Sequence, residues 1–114
     1  MRRKRVKPPE HLSAEMKGWW RRITGEWTLD VQHFHILQAA CESWDRMTGA
    51  RDLIRSEGAV ITDRFGQRKA HPAIGIERDS RLAFVRCVRE LSLTDDVMPE
   101  SRPPAVAGRY EGRR

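Results

Sequence analysis

Three stretches of this chain carry apolar side chains at intervals of three and four residues, the repeat of one helix face. The first opens at Ser13 and runs to about Gly25, with Met16, Trp19, Trp20 and Ile23 in one stripe and Arg21 and Arg22 outside it. Ser13 is a good N-cap, and Glu15 falls in the first turn, where the positive end of the helix dipole favours an acid. Gly25 is placed to end the helix. The second stretch, Asp30 to Glu57, carries the strongest pattern. Asp30 reads as an N-cap, with Leu29 before it and Phe34 at the fourth helical position, a hydrophobic staple. Phe34, Leu37, Cys41, Trp44 and Met47 or Thr48 follow at helical spacing, Ile54 extends the stripe, and Gly58 ends it. About 27 residues at 1.5 Å each give a rod of roughly 40 Å. That is long for 114 residues, so its stripe serves an intramolecular hairpin or a neighbouring subunit. Gly49 inside it costs about 1 kcal/mol relative to Ala and admits a bend.

The period changes after Gly58. Ala59-Val60-Ile61-Thr62 is apolar and β-branched, Asp63-Arg64-Phe65-Gly66 is turn chemistry, and Gln67-Arg68-Lys69 is a polar return. Residues 59–70 are predicted to form a small β-hairpin or ordered loop, with Arg64, Arg68 and Lys69 near its tip. A lone two-stranded hairpin is marginal in water, which predicts packing on the helices or pairing with another chain. The third helical stretch starts at His71-Pro72, where proline suits the first turn. Ile74, Arg78, Leu82, Val85, Val88 and Leu91 mark its length, and Arg78, Arg81, Arg86 and Arg89 decorate it. Leu93-Thr94 is placed to cap a last short turn through Asp95 and Asp96. The predicted fold is mainly α: a helical hairpin or bundle with a long central helix and a small β-hairpin between the second and third helices. Its organisation reads as a basic disordered arm over 1–10, a helical core domain over 11–97, and a Pro/Arg-rich disordered tail over 98–114.

Charge sharpens this picture. The net charge is +6, with 39% hydrophobic and 33% charged residues. Residues 1–7 hold five bases, Arg2, Arg3, Lys4, Arg5 and Lys7, and no acid; residues 102–114 hold four arginines against Glu111. The span between has thirteen bases and fifteen acids. Basic extensions on a near-neutral body suit a polyanion held partly by counterion release. Arg21 and Arg22, and more so Arg64, Arg68 and Lys69 on a projecting loop, join the arm as candidate DNA contacts. No apolar run approaches the roughly 18 residues of a membrane span. The basic start is followed by Pro- and charge-rich residues rather than an apolar stretch, which argues against secretion. Cys41 and Cys87 form no CxxC and suit a reducing compartment.

Candidate catalytic chemistry is sparse. There is no GxxxxGK[ST] phosphate cradle. His33 and His35 lie about 200° apart on a helix, so one face cannot present both to a metal. Asp30 or Glu42 would have to complete such a site, and satisfied or solvated histidines are the simpler reading. His71 reads as a cap at the helix start, and Cys41 as a small core residue rather than a nucleophile. Trp20 and Trp44 read as core or inter-subunit packing rather than base-stacking platforms, together with Phe34, Leu37, Ile54, Leu82 and Val85. No catalytic residue, metal or cofactor is predicted.

The order of three short motifs is informative: Gly58-Ala59-Val60-Ile61-Thr62, then His71-Pro72-Ala73, then Leu91-Ser92-Leu93-Thr94. Over roughly residues 10–97 the chain resembles the small subunit of tailed-phage terminases. It departs at Ser92, where that family usually has Gly, and at Asp95-Asp96, where Pro and Arg are commoner. The resemblance implies a non-enzymatic protein of the host cytoplasm that recognises double-stranded viral DNA. It also implies a homo-oligomeric ring, and a large terminase subunit as the partner holding the ATPase and nuclease. Asp95-Asp96 and the tail from Arg102 to Arg114 are the expected contact with that partner. Two alternatives stand beside it: a transcription regulator or nucleoid-type DNA binder, and a small metal-dependent nuclease built on His33, His35 and Asp30.

Overall fold

The computed structural model describes residues 6–93. Three helices, α1 (Ala14–Glu26), α2 (Val31–Glu57) and α3 (Ala73–Leu91), make the body, and a two-stranded antiparallel hairpin, β1 (Val60–Thr62) and β2 (Arg68–Ala70), lies in the chain between the second and third. The predicted mainly α fold, with its long central helix and interposed hairpin, is the one observed.

Each helix start follows from local chemistry. Ser13 is the N-cap of α1, its Oγ accepting the Met16 N–H at 3.1 Å. At the start of α2 the Asp30 N–H donates to Nδ1 of His33 at 3.2 Å, so the histidine satisfies a backbone donor. Gly58, with φ 89°, ends α2. α1 continues through Gly25 to Glu26, one residue beyond the predicted stop, and Trp27 caps it. At the end of α3 the C-cap Ser92 is left-handed, φ 54°, the one non-glycine residue in that region among the described residues. Glycine tolerates this conformation without steric cost, so the serine stands where backbone geometry favours glycine. The predicted turn over Thr94–Asp96 lies outside the described residues.

α2 and α3 pack antiparallel. Arg51 contacts Glu77 at 3.1 Å. Seven residues back along α2 and seven forward along α3, the Trp44 and Phe84 rings meet at 5.0 Å. A further seven steps each way reach Leu37 and Leu91, both in the buried core. This heptad correspondence is that of helices packed at a shallow angle. The deep seam residues are mostly small: Ala40, Ser43 and Ala50 on α2, Ala73 and Ser80 on α3. The two α3 residues read as core or inter-subunit packing lie outside this seam. Leu82 and Val85 are 54% and 47% exposed. Within one chain these two stay about half exposed, because α3 turns Ala73, Ser80, Phe84 and Leu91 toward the body.

α1 lies against the first half of α2. Met16, Trp20 and Ile23 bury with Leu37 and Cys41, and Phe34 and Trp44 pack beside them. The Trp20 and Phe34 rings stand 6.0 Å apart, while Trp19 reaches Phe84 at 5.7 Å, so one aromatic cluster joins all three helices. The start of α1 is also stitched to α2 by polar contacts. Asp45 accepts the Ser13 N–H at 2.8 Å and its hydroxyl at 2.6 Å, Glu42 holds His11 at 2.7 Å, and Trp44 Nε1 donates to Glu15 at 3.1 Å. Ile54 is half-buried further along α2.

Candidate nucleic-acid interface

The hairpin stands away from the helices. Its residues 59–70 are exposed except for Ile61 and Asp63, which are half-buried. Of the two expected supports, packing on the helices or pairing with another chain, the first is slight within one chain. Its stability comes from its turn and its base. Asp63 Oδ1 accepts the N–H groups of Phe65 at 2.8 Å and Gln67 at 2.9 Å, and Asp63 O accepts from Gly66, whose φ is 83°. At the base the His71 N–H donates to Ala59 O at 2.8 Å. His71 is 8% exposed, its Nδ1 accepts the Ala73 N–H at 2.9 Å, and Nε2 faces Glu57 at 2.6 Å. The network assigns the proton to Nε2, which donates to Glu57. His71 is therefore the cap that its sequence position suggests, and it also joins the end of α2 to the start of α3.

The hairpin carries cations on every side. In the pairing register Thr62 faces Arg68 and Ile61 faces Lys69. Neighbouring residues of a strand point to opposite faces, so Arg68 and Lys69 flank the ribbon. Arg64 sits at the tip with its guanidinium 5.1 Å from the centre of the Phe65 ring. None of the three has an ion pair among the described residues. Some of the helical arginines differ. Arg51 and Arg81 converge on Glu77, Arg55 meets Asp52, and Arg78 meets Asp79. The two arginines hold the Glu77 carboxyl below its ordinary range, Arg81 most strongly. On the helices five cations, Arg22, Arg51, Arg55, Arg78 and Arg81, are paired, and five, Lys17, Arg21, Arg46, Arg86 and Arg89, have no ion pair among the described residues; on the hairpin none of the three is paired.

Of the other predicted contacts, Lys7, Arg21 and Arg22 lie at the opposite end. Trp20 Nε1 donates to Val6 O at 2.9 Å, which fixes the start of the arm beside α1. Arg21 and Arg22 follow on the exposed side, Arg22 paired with Glu26 at 3.4 Å and Arg21 without an ion pair among the described residues. Lys7 is exposed; Arg2, Arg3, Lys4 and Arg5 lie outside the described residues. From Phe34, beside Trp20, to Glu57 the rod advances roughly 35 Å. Arg21 and Arg22 therefore lie toward the start of the rod and the hairpin cations beyond its end.

The geometry does not favour metal chemistry. His33 is engaged by the Asp30 backbone and His35 is exposed. Among the described residues no three His, Cys, Asp or Glu side chains gather where they could hold a metal ion. Cys41 is fully buried, and burial, with smaller contributions from Asp45 and Glu42, pushes its thiol up to about 12. A thiol so rarely ionised is a core residue, not a nucleophile.

A family model described as phage terminase, small subunit, matches residues 17–102. The chain belongs to that family. The match spans most of α1, all of α2, the hairpin and α3. No curated protein and no solved structure matches the chain. Terminase small subunits are phage proteins of genome packaging that act in the host cell and are generally non-catalytic. No helix among the described residues is long and apolar enough to cross a membrane. Phe65 is the residue of the hairpin that sequence reasoning misses. Its signal is a large apolar side chain set inside turn chemistry.

Proposed function

We propose that this terminase small subunit is the DNA-recognition component of packaging. It binds double-stranded viral DNA, closes into a homo-oligomeric ring in the host cytoplasm, and passes the DNA to the large subunit, which performs the ATP hydrolysis and the cleavage. Arg64, Arg68 and Lys69 make one phosphate-binding group; Arg2, Arg3, Lys4, Arg5, Lys7, Arg21 and Arg22 make the other. The observation that carries this reading is the hairpin: three cations without acidic partners among the described residues, on a projecting ribbon, in a family of packaging proteins. Leu82 and Val85, exposed on α3, are the apolar surface available for contact between copies. Asp95-Asp96 and the tail from Arg102 to Arg114 are assigned to the large subunit.

A filter-binding titration against salt tests this with the full chain. Removing one cation that neutralises a phosphate reduces the slope of log K against log salt by about 0.9. The triple change Arg64→Ala, Arg68→Ala, Lys69→Ala and deletion of residues 1–7 should each flatten the slope and weaken binding on all sequences. A wild-type protein that ignores duplex DNA in dilute buffer, or a native mass of only 13.3 kDa, would overturn the reading.

A further inference from the structure

The chain has three phenylalanines. Phe34 and Phe84 pack against tryptophans in the core; Phe65 is 76% exposed. A single exposed apolar side chain is ordinary. This one differs in how it is held and in what surrounds it. It sits in the tip of the hairpin, where its own N–H is taken by Asp63 and the adjoining turn is closed through Gly66 and Gln67. The ring is therefore presented by a built turn. Arg64 lies over it, and Arg68 and Lys69 flank the ribbon behind it. A flat apolar group ringed by open cations complements a ligand that is anionic outside and offers flat apolar faces inside. Duplex DNA has that chemistry: phosphates flank a groove whose floor is the edge of a base stack.

We infer that Phe65 is a wedge, inserting between adjacent base pairs and bending the duplex while Arg64, Arg68 and Lys69 hold the phosphates on either side. This rests on the DNA-binding reading above. Dimensions agree: three-residue strands at about 3.4 Å per residue project roughly 10 Å, and the minor groove is roughly 7.5 Å deep. Apolar wedges on minor-groove proteins unstack base steps and kink DNA. Pyrimidine–purine steps yield most easily. The hairpin would therefore select sites by deformability, without hydrogen bonds to bases.

The test uses the full-length protein, a duplex with 2-aminopurine at a central TA step, and fluorophores at the duplex ends. Wild type should raise the 2-aminopurine emission and shorten the end-to-end distance. Phe65→Ala should abolish both and weaken binding about tenfold, as for loss of one stacked base, with the salt slope unchanged. Phe65→Leu, which keeps a wedge, should retain part of the bend. Because Phe65 is exposed, both variants should keep the wild-type circular dichroism. Phe65→Ala that bends and unstacks DNA as wild type does would overturn the wedge alone. Wild type that binds no duplex would overturn the DNA reading and the wedge with it. Binding of anionic vesicles that is lost in Phe65→Ala, with DNA bending intact, would assign the tip to a lipid surface and overturn the proposal.

Discussion

Replacing His71 by alanine probes the junction on which the hairpin is mounted. The imidazole accepts the Ala73 N–H at 2.9 Å and reaches Glu57 at 2.6 Å from a nearly enclosed position. Alanine leaves the Ala73 donor without its partner, which costs about 1 kcal/mol, the usual cost of a lost helix cap. Exchanging a buried ring for a methyl group removes about 1 kcal/mol more in packing. Glu57 is 53% exposed, so its screened contact adds at most about 0.5 kcal/mol. The expected loss is about 2–2.5 kcal/mol, or a melting point lower by roughly 10–20 °C in a domain of this size. Urea unfolding at fixed protein concentration, followed by circular dichroism and tryptophan fluorescence, reads it, since all four tryptophans lie outside the hairpin. Asparagine can still accept the Ala73 N–H through its side-chain oxygen and should recover about 1 kcal/mol. A His71→Ala protein within about 0.5 kcal/mol of wild type, the range of an ordinary surface substitution, would refute the assignment of His71 as a cap. An asparagine variant no better than alanine would do the same.

Two further outcomes are expected. Ser92→Gly should raise stability by about 0.5–1 kcal/mol, because it removes the left-handed strain of a side-chain-bearing residue at the α3 cap; an unchanged urea midpoint would contradict this. Cys41 should resist thiol reagents at pH 8 while Cys87, half-buried, is labelled first; equal rates would show that the α1–α2 core opens freely. The sign for pH follows from the same shift. The folded Cys41 pKa lies above its unfolded value of 9.0, so its contribution is complete below pH 9 and is lost as pH rises from there toward about 12.

Much of the architecture was legible in one dimension because its signals are local. The α2 stripe from Phe34 to Ile54, the stop at Gly58, the β-branched run before Asp63 and the His71-Pro72 start each act within a few residues. The inner face of α3 was only partly legible. A search for large apolar residues finds Ile74, Leu82, Val85, Val88 and Leu91, of which Leu91 is in the core, whereas the seam also uses Ala73 and Ser80, whose small size allows close approach. Nor did any periodicity announce that Asp45 would hold Ser13, 32 residues away. Of the candidate site, Arg64, Arg68 and Lys69 were readable as a loop cluster. Their freedom from acidic partners was not, because it depends on which carboxylates the helices bring to Arg51, Arg78 and Arg81.

The two attachments of α2 differ in kind. Against α3 it is joined along its length, by small residues and by the Trp44–Phe84 and Arg51–Glu77 pairs, while α1 covers only its first half and is held by long side chains and by a polar stitch at its start. Heating or urea should therefore act in sequence, releasing α1 while the α2–α3 pair still stands. In hydrogen exchange the amides of α1 would be the first of the helical set to trade with solvent. Val6, bonded to Trp20, would leave with them, so the anchorage of the basic arm is only as durable as the least secure of the three helices.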